Sequence, residues 1–148
     1  MSIDAIDEEL IRQLQTDGRR PYTQLAKVVK LSEAAVRQRV QRLLDQGVMQ
    51  VVAVTDPTRL GMRRQAMVGI KVEGDLRIVG DALAELDEVV YVVLTAGPVD
   101  LLAEVVVGND EDLLSLLNDR IRKIPGVVST ETSIYLSLRK QTYQWGTR

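Results

Sequence analysis

Residues 22–47 carry the pattern of two short helices joined by a tight turn, and this stretch restricts the possible folds more than any other. Ser32 is a suitable N-cap for the second helix, because its hydroxyl can accept a hydrogen bond from a free backbone N–H of the first turn. Gly47 supplies the matching stop. Between them, the apolar residues that share one helical stripe are Val36, Val40, Leu43 and Leu44. The stretch therefore predicts a helix-turn-helix.

The opposite side of the second helix is polar, with small residues near its start. Arg can pair with guanine and Gln with adenine, while small side chains allow a helix to enter the DNA major groove. An ordinary solvated helix has a similar face, so this face alone does not decide between the two interpretations. The candidate DNA-binding residues on the two helices are Thr23, Gln24, Ser32, Ala34, Ala35, Arg37, Gln38, Arg39, Gln41 and Arg42.

The local charge favours a nucleic-acid partner. From Arg12 to Arg42 there are eight Lys or Arg and two acids, which gives a local charge of +6. The whole chain has a net charge of −2, so the remaining residues sum to −8. A basic segment within an acidic chain indicates that one face meets phosphate.

The composition excludes several classes of enzyme. The sequence has no Cys and no His, which removes disulfides, thiolate metal sites, His-dependent triads and most zinc chemistry. We therefore predict no catalytic residue, metal site or cofactor, and no enzymatic activity. No run of 18 apolar residues occurs, and the N-terminus is acidic where a secretory signal is basic. The expected location is the cytoplasm, without a membrane partner.

A further helix precedes the helix-turn-helix. Apolar residues at helical spacing predict it over residues 4–16, with Asp4 as a cap and further acids complementing the helix dipole. Three helices would then share a core of about ten apolar side chains, which is thin for an independent domain. We expect residues 1–47 to depend on a partner or a second domain for stability.

After Gly47 the pattern changes to β-like. Residues 48–54 predict a strand within a linker, residues 48–62, and residues 139–148 form a tail. In residues 63–138 strands and helices alternate, and a shift of 38 residues lays the apolar positions of 78–90 onto those of 116–128. The predicted elements are strand 65–72, helix 77–86, strands 89–96 and 101–107, helix 111–124 and strand 127–138. Two such βαβ halves make a ferredoxin-like domain, so the chain is α+β.

The predicted sheet has one face without a helical cover. Its third strand places Leu101 and Val105 on one face and Leu102 and Val106 on the other, so both faces are apolar. A second sheet must then pack against the bare face. This predicts dimerisation through the C-terminal domain.

The turn over residues 95–100 is the best candidate for a ligand site. Gly97 allows a close approach of the backbone, and Asp100 stands at the rim of the sheet. A carboxylate beside free turn amides can hold a small zwitterion. Turns built of Gly, Pro and Asp are more often purely structural, so both interpretations remain open.

Residues spread along almost the whole chain carry a family resemblance. In order and spacing they resemble the Lrp/AsnC, or feast/famine, family of bacterial and archaeal transcription regulators. They are Asp7, Leu10, Ile11, Leu14 and Asp17-Gly18-Arg19; then Leu25-Ala26, Leu31-Ser32, Arg39-Val40, Leu43 and Gln46-Gly47-Val48; then Thr95, Gly97, Asp100-Leu101-Leu102 and Gly126-Val127.

The resemblance implies a winged-helix-like helix-turn-helix domain that binds double-stranded DNA, a β linker, and a ferredoxin-like βαββαβ domain for effector binding and oligomerisation. It implies homodimers that usually assemble into octamers and an amino-acid effector bound where dimers meet. Residues 32–42 would be the recognition helix. The implied effector-binding residues are Thr95, Gly97, Pro98, Val99, Asp100 and Leu101.

The sequence departs from the family pattern at two positions. Lys30 occupies a turn position that often has Gly, which is tolerable if its backbone stays outside the left-handed region. Val99 stands where the loop commonly carries an aromatic residue. The alternative function is a metabolite-sensing or scaffolding ferredoxin-like oligomer without specific DNA binding.

Overall fold

The computed structural model describes residues 2–146 and divides them into two compact units. The first unit contains residues 2–54 and 140–146, and the second contains residues 55–139. Within the described residues, no helix is both long enough and apolar enough to cross a membrane.

The first unit contains three helices, and its helix-turn-helix is confirmed. Asp4 caps the first helix through a reciprocal pair of hydrogen bonds with Asp7, and Ser32 Oγ accepts from Ala35 N at 3.2 Å. Gly47 follows the third helix with a φ of +67°, the conformation expected of a glycine stop. The helices are α1, Ala5–Thr16; α2, Tyr22–Val29; and α3, Glu33–Asp45.

The core of this unit is as thin as the sequence predicts. Its fully buried apolar centre is formed by Leu10, Leu25, Val36 and Val40, with Ala26 beside them. Asp7 lies in the same interior with 1% of its surface exposed. A buried carboxylate in so small a core needs its own polar partners.

The sequence predicts that a residue other than Gly is tolerable at Lys30 if its backbone stays outside the left-handed region. The turn between α2 and α3 does not meet this condition. This residue has φ 55° and ψ 43°, so it is left-handed, and among the described residues it is the one non-glycine with a positive φ. The conformation lets Leu31 N–H reach Ala26 O at 3.1 Å and close the helix end. A Cβ at this position therefore costs conformational energy.

The strand predicted over residues 48–54 does not form in the single chain. No strand is assigned among residues 46–63, and Val51, Val52 and Val54 are 49%, 67% and 60% exposed. A strand needs a neighbour to receive its hydrogen bonds, and no described strand pairs with this segment. The prediction of a strand was therefore wrong for the isolated chain.

The second unit is a βαββαβ domain, which confirms the ferredoxin-like fold. Its four strands are antiparallel in the order β2-β3-β1-β4. The elements are β1, Arg64–Val72; α4, Leu76–Ala84; β2, Val89–Leu94; β3, Leu101–Val107; α5, Asp110–Ser115; and β4, Val127–Ile134.

Two elements differ from the predicted bounds by more than two residues at one end. The helix predicted over residues 111–124 is α5 followed by a π-helical turn, Leu116–Arg120, and a 3-10 turn, Ile121–Lys123. β4 ends at Ile134 instead of residue 138: the register ends with Ala66 opposite Ile134, and only Arg64 and Gln65 of β1 precede Ala66. Strand length here is set by the neighbour.

The sheet packs its apolar core on one face. β3 alternates strictly between buried and half-buried residues, with Leu101, Ala103, Val105 and Val107 on the buried side. Those side chains pack with Leu83 of α4 and other buried residues of the helical layer. Within the second unit, none of the described helices covers the opposite face, as the sequence predicts.

Candidate nucleic-acid interface

The first turn of α3 is small and open to solvent. Ala34 is exposed and Ala35 is half-buried, directly after the Ser32 cap. Gln38 is exposed one turn later, and no hydrogen bond of its side chain occurs within residues 2–146. Thr23 and Gln24, in the first turn of α2, are also exposed. These positions can approach another molecule without breaking an internal contact.

Arg37 and Gln41 make weaker contacts that water can replace. The Arg37 guanidinium lies 4.7 Å from the centroid of the Tyr22 ring and 3.1 Å from a carboxylate oxygen of Glu33. Its side chain is 61% exposed, so this ion pair contributes little to stability. Gln41 Nε2 donates to Asp45 Oδ1 at 2.7 Å, also at the surface. Both side chains can turn toward a partner.

Arg39 and Arg42 both form ion pairs with the buried carboxylate of Asp7. Arg39 Nη1 lies 2.9 Å from Asp7 Oδ1 and 2.7 Å from Asp4 Oδ2. Arg42 Nη2 donates to both oxygens of Asp7, at 2.9 Å and 2.8 Å. The structure therefore places two of the predicted DNA-binding arginines in a charge cluster between α1 and α3.

The contacts within this cluster shift the pKa values of Asp4 and Arg39. A hydrogen bond from Asp7 N–H and then one from Arg39 lower the pKa of Asp4 below its ordinary value. The carboxylates of Asp4 and Asp7 raise the pKa of Arg39. Asp4 and Arg39 therefore stay charged at neutral pH.

Asp7 is the functional candidate that the sequence interpretation missed. From its position in the first turn of α1, the sequence predicts only that it complements the helix dipole. The signal was nevertheless present, because Asp7 precedes Leu10, Ile11 and Leu14 by three, four and seven residues. A carboxylate on the buried stripe of a helix predicts a cationic partner from a neighbouring element.

Four other cations of the basic segment have no such partner. Within residues 2–146, no carboxylate pairs with the side chains of Arg19, Arg20, Lys27 or Lys30. Arg19 and Arg20 precede α2, and Lys27 and Lys30 lie at its end. The positive charge available to an external anion is concentrated around α2.

The predicted effector loop is tied to the sheet at both ends. Thr95 N–H donates to Asp100 O at 2.9 Å, and Thr95 Oγ1 donates to Val99 O at 2.7 Å. Asp100 Oδ2 accepts from Val72 N–H at 2.8 Å, where the pairing of β1 with β4 shifts register. One carboxylate oxygen of Asp100 is thus committed to closing a β-bulge.

The middle of the same loop is open. A Cβ added at Gly97 would meet no atom within 4 Å, and Pro98 is exposed. Val99 instead packs over the backbone of Gly69, since a Cβ there would lie 3.0 Å from Val99 Cγ1. Leu101 is fully buried in the core. Of the six predicted effector residues, Gly97 and Pro98 are the most accessible.

Two concave surfaces accompany these features. One, of about 240 Å³, lies on α3 and is lined by Ala35, Gln38, Arg39 and Arg42. The other, of about 600 Å³, lies in the second unit and is lined by residues that include Met62, Glu88, Leu116 and Arg120. None of the residues of the 95–101 loop lines it.

Comparison with known proteins identifies both units. Residues 3–44 match the AsnC-type helix-turn-helix domain, and residues 65–145 match the Lrp/AsnC ligand binding domain. The chain is 35% identical over 142 residues to the HTH-type transcriptional regulator FL11 of Pyrococcus horikoshii, covering 95% of this chain and 93% of that protein.

Solved structures show the same architecture. E. coli AsnC superposes with a TM-score of 0.86 at 25% identity, covering 97% of this chain and 99% of that one. A feast or famine regulatory protein from M. tuberculosis, solved in complex with L-methionine, superposes with a TM-score of 0.88 at 31% identity over the same shares of the two chains.

Proposed function

The chain belongs to the Lrp/AsnC family of helix-turn-helix transcriptional regulators, and from that premise we propose that α3 is the helix that enters the major groove of its DNA site. The observation that carries this proposal is the open first half of α3, where small residues precede an unengaged amide at Gln38. Gln can pair with both edge atoms of adenine.

In this proposal the ten predicted residues divide by their contacts. Ala34, Ala35 and Gln38 meet base edges, and Arg37 and Gln41 can leave their surface partners to join them. Thr23 and Gln24 suit the sugar-phosphate backbone, since hydroxyl and amide groups commonly bind it. Ser32 caps the helix, and Arg39 and Arg42 support it from the side of α1.

A gel-shift assay tests the assignment of α3. The probe is a duplex selected by the full chain from a randomised pool, with a mixed-sequence duplex as reference. Gln38→Ala is expected to weaken binding to the selected duplex about tenfold while leaving the mixed-sequence duplex unchanged. Gln141→Ala, which changes an exposed glutamine of the tail, is the matched control. Equal binding by Gln38→Ala and the control would remove α3 from base recognition.

We further propose that the chain acts as a homodimer that assembles into a larger ring, such as an octamer. The uncovered sheet face carries Met67, Val93 and Leu102, and residues 48–54 expose several valines. Both features suit a second copy of the chain. Val93→Glu is expected to reduce the mass measured by light scattering; an unchanged mass would place the interface elsewhere.

An amino acid is the proposed effector, and it binds at the 95–101 loop between dimers. The M. tuberculosis protein with bound L-methionine supports this class of ligand. Screening all twenty amino acids by thermal shift should identify at least one that raises the melting temperature, because a ligand of the folded state stabilises it. Gly97→Leu should abolish the shift by filling the open loop, without loss of DNA binding.

A DNA-binding protein works in the compartment that holds the DNA, which supports the predicted cytoplasmic location. The relatives are transcription regulators, and we propose no enzymatic activity for this chain.

A further inference from the structure

The arginines of α3 differ in how firmly they are paired. Arg37 is paired with Glu33 at the surface, where water competes for both groups. Arg39 and Arg42 share the carboxylate of Asp7, which is 1% exposed, while their own side chains are 26% and 38% exposed. An arginine whose counter-ion is buried and fixed cannot exchange it as easily for a phosphate.

The Asp7 carboxylate is itself immobile. It lies on the first turn of α1, where Asp7 N–H donates to Asp4 Oδ1 at 2.8 Å and Asp4 N–H donates to Asp7 Oδ2 at 3.3 Å. Asp4 adds a second carboxylate on Arg39. The charges of Asp4, Asp7, Arg39 and Arg42 sum to zero, so this cluster has no net charge with which to attract phosphate.

Resting on the proposed DNA-binding function, we propose that Asp7 is a positioning residue for DNA recognition. Asp7 fixes the positions of Arg39 and Arg42. The resulting cluster has no net charge and supports the face of α3 that carries Ala34, Ala35 and Gln38. The charge that binds the phosphate backbone comes instead from Arg19, Arg20, Lys27 and Lys30, which have no carboxylate partner within the described part of the chain.

The buried geometry of Arg42 agrees with a supporting role. Its Nε atom is buried and has no hydrogen-bond partner within residues 2–146, while its Nη2 is fully engaged with Asp7. The guanidinium therefore points its polar edge into the protein. Together with Arg39 it lines the 240 Å³ concavity beside Ala35 and Gln38, where it shapes the surface that a base or sugar would meet.

The test compares three substitutions that each remove one positive charge: Arg20→Gln, Arg42→Gln and Arg122→Gln. Arg122 is exposed in the second unit and serves as the control for net charge. The readout is the slope of log affinity against log salt for a mixed-sequence duplex bound by the full chain. Each phosphate contact contributes about 0.9 to that slope, equivalent to about eightfold in affinity at 0.1 M salt.

Arg20→Gln is expected to reduce the slope by about 0.9 for each half-site. Arg42→Gln and the control Arg122→Gln should both leave the slope unchanged. Arg42→Gln leaves Asp7 paired with Arg39, so no buried charge loses all of its partners. A fall in slope with Arg42→Gln equal to that of Arg20→Gln would overturn the proposal.

Asp7→Asn should change the salt dependence of DNA binding, which the loss of a residue with only a structural role would not change. Removing the negative charge frees one arginine charge, so the slope should steepen and the affinity for mixed-sequence DNA should rise about eightfold at 0.1 M salt. Discrimination in favour of a selected duplex should fall, since the support of α3 is loosened. The double variant Asp7→Asn/Arg42→Gln should restore the original slope; a slope that stays steep would count against the pairing as its cause.

The two proposals fail in different ways. If the native chain shows no salt-dependent binding to either duplex, the proposed function fails and the variants have nothing to modify. If the native chain binds with a steep slope but Asp7→Asn lowers the affinity for both duplexes equally, only the positioning role fails. Far-UV circular dichroism of each variant at the assay temperature shows whether the total helix content is that of the native chain, and the Arg20 and Arg42 comparison stands even where Asp7→Asn unfolds.

Discussion

The two units of this chain are stabilised by different means. The buried core cluster of the first unit has five apolar members and is supplemented by a carboxylate with two arginine partners. The corresponding cluster of the second has twelve, with no buried charge among the described residues. In the first unit, residues predicted to bind DNA also hold the helices together. In the second, the sheet and helices are stabilised independently of the exposed middle of the effector loop.

The largest effect is expected from the apolar core of the second unit. Leu83 is fully buried between α4 and the sheet, so Leu83→Ala should lower the free energy of unfolding of this unit by about 3 kcal/mol. Hydrogen exchange of the sheet amides measures it. Ala84→Ser, at an exposed neighbour, should change little. An equal loss of protection in α1 to α3 would show that the two units unfold together and are not stabilised separately.

Removing the buried charge should destabilise the first unit somewhat less. Asp7→Ala leaves Arg39 and Arg42 without their shared partner, although both side chains retain some contact with water. We expect a loss of about 2 kcal/mol in the free energy of unfolding of the helices. Glu8→Ala, one residue along and exposed, is the matched control. If both variants were equally stable, the charge cluster would contribute nothing to the fold.

Asp100 tests whether the effector loop also stabilises its unit. Asp100→Ala leaves the N–H of Val72 without an acceptor at the bulge, which should cost about 1 to 2 kcal/mol in the free energy of unfolding. Asp100→Asn keeps an acceptor oxygen and should lose less. Chemical denaturation measures both variants. Two equally unstable variants would show that the charge, and not the hydrogen bond, is what matters.

Lys30 offers a change in the opposite direction. Its left-handed backbone is strained for a residue with a Cβ, so Lys30→Gly should raise the stability of the first unit by about 1 kcal/mol. Lys30→Ala keeps the Cβ and should give no gain. A gain from both substitutions would assign the effect to the lysine charge. Thermal melting followed at 222 nm compares them.

The elements of both units could be predicted from the sequence because their periodicity is local. The helix-turn-helix and the βαββαβ order follow from apolar spacing, caps and turn residues, and the alternation of β3 divides its side chains between the two faces as the structure has them. Two of the missed features depend on a distant partner. The Asp7 cluster joins α1 to α3, and segment 48–54 would need a neighbouring strand that no described residue supplies.

Lys30 shows a different limit of the sequence. The departure from glycine was visible, but the φ of the turn is set by the packing of α2 against α3 and not by the residue itself. The Asp100 loop lies between these cases. Its Gly and Pro predicted a turn, whereas the hydrogen bond to Val72 depends on the register of β1 with β4.

The smallest predicted effect concerns alkaline pH and the charge on the open sheet face. Desolvation by burial, followed by the nearby carboxylate of Glu104, raises the pKa of Tyr135 to about 12. Between its ordinary pKa of about 10 and this value, the folded chain keeps a proton that the unfolded chain has lost. Its contribution to stability is therefore complete below about pH 10 and is lost as the pH rises through about 12.

Absorbance at 295 nm follows tyrosine ionisation, and we expect a late step from Tyr135 as the pH rises through about 12. Tyr135→Phe should remove the late step, and Glu104→Gln should move it toward lower pH while the effect of burial remains. The carboxylates of the two units differ in their partners. Asp7 is paired with two arginines, whereas no ion pair of Glu104 occurs among residues 2–146. If Tyr135 ionised near its ordinary pKa of about 10, neither burial nor Glu104 would restrain it, and its phenol would be in contact with more water than its burial indicates.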